Sequence, residues 1–319
     1  MSGGPVEMLR TLLRPYTKTG RLVAKVKARK AARAAMPYVY NPDPKVSLVI
    51  QSFNHCANIP RIVERLRLTA AEELIVCEDG SVDGSERVWR EQLDRPNDFV
   101  ILSNDLHEIR TYNRAIALAG GEIVGVMQDD DIPPLKASWV AEAVTLFENH
   151  PDMAMLGCWN GWAYNYDSGE KDFDQIVLSH VGEGLNFDQP VNPVPRRDPK
   201  SGLPFAFVES VGIGPMFFRK KDFVALGGFD LALSGPGEPG IWLDYDLCIK
   251  AWLAGKQVGV YESAPFERNV GGQGTTMFTG TKRWDNFDTN RKRMQQLHTD
   301  RIGPIRGKID ALNATLPAR

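Results

Sequence analysis

The chain has 319 residues, 43% of them hydrophobic, and four scattered cysteines with no CxxC pair. That composition supports a sizeable α/β core in one large domain or two smaller ones. It excludes a disulfide framework or a cysteine zinc site and points to a reducing, cytoplasmic compartment. The formal charge of −2 hides an asymmetry: residues 1–42 hold nine Lys/Arg against Glu7, a net +8, and residues 281–319 hold nine against four Asp, a net +5, which leaves −15 for residues 43–280.

Residues 1–42 read as a basic, weakly amphipathic extension and linker, interrupted near Pro15. A solvated segment and a surface for anionic lipid both fit that pattern, the second placing the protein peripherally at the inner face of a membrane. No run of 18 apolar residues is present, and residues 1–42 lack the continuous apolar stretch expected of a secretion signal. The three prolines of "PYVYNPDPK" end any helix there.

Strands and helices then alternate. "VSLVI" (46–50), "ELIVCED", "FVILS" and "EIVGVM" read as buried strands, separated by helices in "IPRIVERLRL", "SERVWREQL" and "TYNRAIALA". Four strands with intervening helices predict a parallel sheet covered on both faces, whose ligands bind at the carboxyl ends of the strands. Three polar clusters follow such ends: "QSFN" (51–54), "EDGSVDGS" (78–85) and "QDDD" (128–131). Three adjacent carboxylates repel one another unless a cation or hydrogen-bond donors compensate, so Asp129, Asp130 and Asp131 predict a positive partner. Residues 43–150 form the first half of the domain on this reading, residues 151–280 an aromatic and glycine-rich second half, and residues 281–319 a basic helical segment. Nucleic acid is excluded as a partner by the acidic body and by basic ends without an aromatic platform.

"VSLVIQSFN", "CEDGSVDGS", "NRAIALAGGEIVGVMQDDD", "FFRKKDFVALGGFD" and "WLDYDLCIKAWLAGKQVGVY" resemble, in order and spacing, the successive motifs of family two glycosyltransferases. The resemblance implies a GT-A fold, a Rossmann-like mostly parallel central sheet with helices on both faces and a smaller acceptor-side region. It also implies inverting transfer of a sugar from a nucleotide diphosphate donor to a hydroxyl of a glycan or glycolipid, with a divalent cation, Mn²⁺ or Mg²⁺, as cofactor. An alternative is a non-catalytic, carbohydrate- or nucleotide-sugar-binding relative of the same fold. A sugar-phosphate nucleotidylyltransferase would need a glycine-rich basic loop after the first strand, which "QSFNHCAN" lacks.

The resemblance places Asp130 as metal ligand and Asp129 against ribose or metal, with Asp129 and Asp131 as an alternative ligand pair. It places Asp79 against the donor base, Phe53 stacked on that base, and Gln51 and Ser52 at its edge. Arg110 suits diphosphate oxygens, because a guanidinium matches their geometry. Asp244 is the implied base for the acceptor hydroxyl, with Asp246 as runner-up, and Trp242 is the acceptor-stacking candidate two residues away. Trp159, Trp162, Tyr164 and Tyr166 fit either acceptor stacking or core packing. The sequence departs from the family at Gln128 and Leu243, each in an acidic place, and has no histidine between His180 and His298. Glu267 or the glycine-rich 267–276 segment is the expected substitute there.

Overall fold

The computed structural model describes residues 39–104, 106–158, 161–163, 179–181, 194–268 and 281–319. Its contacts divide the chain into Met1–Tyr40 and Asn41–Arg319, and the second unit is the one described here. The basic extension therefore lies almost wholly outside the described residues, as do Trp159, Tyr164, Tyr166 and the 269–280 segment. Among the described residues no helix is long and apolar enough to cross a membrane.

The sheet is organised around β1 (Val46–Ser52), every residue of which is buried. A continuous rather than alternating apolar run is what a strand covered on both faces requires. Helix α1 (Ile59–Leu66) follows, with Pro60 in its first turn, where the missing N–H has no intrahelical partner to lose. Its Ile59, Ile62, Val63 and Leu66 are buried. Then come β2 (Glu73–Glu78), α2 (Ser85–Gln92), β3 (Phe99–Leu102), α3 (His107–Leu118) and β4 (Ile123–Gln128). Strands β2 and β4 flank β1 in parallel, with Val49 opposite Ile75 and Val126. The chain thus steps outward from β1 through β2 to β3 and returns to the other side of β1 as β4. That reversal makes the carboxyl ends of β1 and β4 the topological switch point, where crevices form in open α/β sheets.

The second half extends the same sheet. After the two-residue strand β5 (Asp131–Ile132) and helix α4 (Trp139–Asn149) come β6 (Met153–Gly157), β7 (Gly161–Ala163), β8 (Ser179–Val181), β9 (Phe205–Phe207), β10 (Ser210–Val211) and β11 (Met216–Arg219). Helix α5 (Lys220–Ala225), a 3-10 turn at Leu231–Leu233, helix α6 (Leu243–Leu253), β12 (Gln257–Tyr261), β13 (Glu267–Arg268) and helix α7 (Thr281–Ala314) complete the chain. The eight-stranded sheet has the order β3-β2-β1-β4-β11-β6-β12-β9. It is parallel except where β11 runs against β4 and β6 and where β9 runs against β12. This is the mostly parallel α/β sheet that the sequence predicts. Helix α3 starts at His107, four residues before the expected "TYNRAIALA", and β3 is only partly buried because it is the edge strand.

Large aromatic side chains fill the core, Trp89, Trp139, Trp252, Tyr112 and Tyr261 among them. A buried polar network docks α7: Glu209 Oε1 accepts from Tyr245 Oη at 2.8 Å and Oε2 from Arg306 Nε at 2.7 Å. Glu209 is fully buried, so its charge depends on that guanidinium and hydroxyl.

Gly125 lets β1, β4 and β11 close up. A Cβ there would meet Leu48 Cδ2 and Phe217 Cε1 at 2.7 Å each. Gly125→Ala is expected to lower unfolding stability by about 1–3 kcal/mol through overpacking. Urea denaturation monitored by circular dichroism checks this, and an unchanged midpoint would contradict the packing described.

Candidate active site

The three aspartates after β4 sit in different surroundings. Asp129 turns inward and is 5% exposed. Its Oδ2 accepts from Ser52 Oγ and from the Phe53 amide, both at 2.8 Å, and its Oδ1 lies 3.1 Å from His55 Nδ1. Asn58 Nδ2 donates to its carbonyl at 3.0 Å, and its amide donates to the Gln51 carbonyl. Ser52 is held in turn by Trp89 Nε1 at 2.7 Å. Burial pushes the Asp129 carboxyl up, opposed by His55, Ser52 and the Phe53 amide. Asp129 raises the His55 imidazole through their hydrogen bond.

Asp130 is half-buried, and its Oδ1 meets no hydrogen-bond partner. Asp131 is fully buried in β5, and its Oδ2 lies against Gly214: a Cβ on Gly214 would approach it to 2.9 Å. Gly214 holds φ +130°, a conformation that an L side chain strains to adopt. The neighbouring Ile213 amide faces Asp244, in the first turn of α6, which also accepts from Tyr245 N at 2.9 Å. Two adjacent backbone units, Ile213 and Gly214, therefore join the aspartate turn after β4 to Asp244. Burial raises the Asp244 carboxyl, partly offset by the amides of Tyr245, Asp244 and Ile213.

The other expected site residues fall as follows. Gln51 and Ser52 end β1 at the switch point, level with Cys77, Glu78 and Gln128 on the flanking strands. Gln51 Oε1 is buried without a partner, and Phe53 is half-buried beside it in sequence. Asp79 is 3% exposed and accepts three hydrogen bonds, from Ser103 Oγ (2.8 Å), Leu106 N (2.9 Å) and His107 N (2.8 Å). Helix α3 has no capping side chain of its own at Leu106, and Asp79 supplies the acceptor for its free N–H groups. Arg110 Nη1 donates to the Ser234 carbonyl at 2.9 Å. Two residues earlier on the helix, Glu108 Oε2 accepts from the Gly240 amide at 3.0 Å. The start of α3 thus grips the 234–240 loop at two points. Trp242 caps α6 with φ +70° and packs against Tyr245 and Phe287, ring centroids 5.5 and 5.3 Å away. Asp246 is committed to Lys250 at 2.5 Å and His298 at 3.2 Å. Glu267 is held by Arg61 and by Arg65, the latter at 2.6 Å.

Sequence reasoning missed His55, Asn58, Glu108, Ile213 and Gly214. The two histidine and asparagine side chains stand in the loop after β1, where only the position of Asp129 gives them meaning. Ile213 and Gly214 act through backbone and carry no side-chain signature.

Among the described residues no group of three or more His, Cys, Asp or Glu side chains is gathered to hold a metal ion. A Mg²⁺- or Mn²⁺-type site shared with substrate phosphates needs only one or two protein carboxylates. The unpartnered, buried Asp130 Oδ1 fits that requirement.

Residues 47–180 match the model of Glycosyl transferase family 2. That match runs from β1 into β8 and covers less than half of the chain. No curated protein matches it. Among solved structures, S. aureus TarS 1–349 in complex with UDP-GlcNAc aligns with a TM-score of 0.54 at 14% identity, over 83% of this chain and 71% of that one, and shares the fold. A longer S. aureus TarS structure aligns at 0.48 and 16% identity, over 70% of this chain. The chain spans 36% of the length of that longer structure.

The different surroundings of Asp129 and Asp130 separate their contributions to stability. Asp129→Asn is expected to cost about 1–3 kcal/mol, because at least one buried donor loses its acceptor. Asp130→Asn is expected to stay within about 0.5 kcal/mol of wild type. Parallel urea melts decide, and equal losses would contradict the division.

Proposed function

We propose that this protein is a glycosyltransferase that moves a sugar from a nucleotide diphosphate sugar to a hydroxyl of a glycan or glycolipid, with inversion at the anomeric carbon and with a divalent cation as cofactor. The observation that carries the reading is the junction at Ile213–Gly214, which sets Asp244 beside the aspartate turn at the switch point of the sheet.

In this reading the nucleotide lies over the carboxyl ends of β1 and β2. Phe53 offers a ring face to the base and Gln51 an unsatisfied acceptor for a base N–H. Ser52 holds the turn beneath through Asp129. Asp79 contributes by fixing the start of α3 under the base and retains a lone pair on its edge. Arg110 holds the 234–240 loop against the donor half, with the rest of its guanidinium available to phosphate oxygens. Asp130 would hold the cation, with Asp129 and Asp131 shaping its turn. A divalent cation there would neutralise charge on the departing nucleoside diphosphate.

Asp244 takes the acceptor hydroxyl proton as the oxygen attacks the face opposite the leaving group. Burial that raises its carboxyl favours proton uptake, while the amides of Tyr245 and Ile213 keep it ionised and aimed. Trp242, packed at the helix start, borders the acceptor side.

Two measurements test this. Calorimetric titration with UDP, GDP, dTDP and CDP is expected to show one nucleotide binding in Mn²⁺ and not in chelator, with binding lost in Asp130→Ala. Failure of all four under both conditions would refute the donor site. Asp244→Asn is expected to lower kcat by about 10²–10⁴-fold with nucleotide affinity retained. Because the basic form of Asp244 is the active one and burial raises its carboxyl, wild-type kcat/KM falls as pH drops through a value higher than that of an ordinary aspartate. A pH–rate profile with its acid limb unchanged in Asp244→Asn would assign the base elsewhere.

A further inference from the structure

The loop after β1 holds a buried imidazole that the proposed transfer leaves unused. The His55 side chain is 9% exposed. Its Nδ1 lies 3.1 Å from Asp129 Oδ1 and 3.0 Å from the Phe53 carbonyl oxygen. Both neighbours are acceptors, so Nδ1 carries a proton and donates it. The neutral ring then presents a lone pair at Nε2. That atom is buried and meets no hydrogen-bond partner. Asp130 Oδ1 is buried and unpartnered as well, and the negative charge of Asp130 acts on the His55 ring. Two loops, from β1 and from β4, thus bring two electron-pair donors without partners to the same end of the sheet. A histidine that ligates a metal characteristically donates its other ring N–H to a carboxylate or a backbone carbonyl, which fixes tautomer and ring orientation. Here Nδ1 has both.

We propose that His55 Nε2 is a ligand of the divalent cation, together with the Asp130 carboxylate, and that Asp129 is the carboxylate that orients the imidazole. The inference rests on the reading of this site as a cation-dependent nucleotide-sugar site and specifies its ligand set. A nitrogen in that set also sets the choice of ion. Imidazole shifts preference from Mg²⁺ and Ca²⁺, which take oxygen ligands, toward first-row transition ions such as Mn²⁺ and Co²⁺. The remaining positions fall to phosphate oxygens and water.

The test is pulsed electron paramagnetic resonance on the full chain loaded with Mn²⁺ in the presence of UDP or GDP, with natural-abundance and [¹⁵N]histidine protein. Imidazole nitrogen coupling that shifts with the isotope is expected in wild type and is expected to vanish in His55→Ala. His55→Gln serves the same purpose if His55→Ala does not fold, with folding checked by circular dichroism. Mn²⁺ titration is expected to show affinity lowered by at least about 10-fold in the His55 variant and by about 10–100-fold in Asp129→Asn. Mn²⁺ that binds without imidazole coupling overturns the assignment of His55 and leaves the cation-dependent transfer standing. Coupling that survives in a folded His55 variant does the same. No Mn²⁺ binding with either nucleotide overturns the cation requirement itself, and the ligand assignment falls with it.

Discussion

The buried carboxylate of Asp129 is the constraint on which the crevice depends. A carboxylate removed from water is costly unless donors surround it, and here the donors come from the loop that must be shaped: Ser52 Oγ, the Phe53 amide and the His55 ring. Satisfying one charge therefore fixes the exit of β1 against the exit of β4. Asn58, bonded to the Asp129 carbonyl, carries that order into the start of α1. Trp89, bonded to Ser52, carries it into α2. With Asp129 enclosed by these donors, its successor Asp130 keeps a buried oxygen without a hydrogen-bond partner.

The second half of the molecule is brought to this edge by means that do not involve the acidic turn alone. Helix α3 reaches across with Arg110 and Glu108 to the Ser234 carbonyl and the Gly240 amide. Asn290 of α7 donates to the carbonyls of Leu233 and Ile241 at 2.7 and 2.9 Å. The 233–241 loop is clamped from both sides just before Trp242 and Asp244. The start of α6 is thus positioned by rigid helices rather than by its own loop, which is the arrangement that holds reacting groups in place.

Strands β1, β2 and β4 are legible in the sequence because burial on both faces writes them as apolar runs, and the edge strand β3 as a shorter one. The later strands are not. Phe205–Phe207, Ser210–Val211 and Met216–Arg219 are two to four residues long, too short to display a period, and their partners lie far along the chain. The location of the aspartates was readable from the rule that such sheets bind at strand ends. Their directions were not, because three consecutive identical residues give no sign of which one turns inward. Asp79 shows the same limit: an Asp-Gly-Ser turn predicts a polar cluster, yet its role in capping α3 depends on a helix that begins 28 residues later. The loop at Ile213–Gly214 was illegible for a different reason, since it works through an amide and the absence of a Cβ.

The site gains its chemistry from carboxylates placed in unlike surroundings. Asp129 is enclosed by donors, Asp130 keeps an oxygen without a partner, and Asp244 is raised by burial while backbone amides hold it in place. Groups of one chemical type whose environments are driven apart can divide the labour of a reaction. A turn of three aspartates alone would concentrate negative charge without assigning it. Asp131 lies against Gly214 and Asp244 accepts from the Ile213 amide, so one dipeptide links the acidic turn to the proposed base. In the proposed inverting transfer, a proton taken up at Asp244 would stay apart from the charge at Asp130, since the acceptor oxygen and the leaving diphosphate would stand on opposite faces of the sugar.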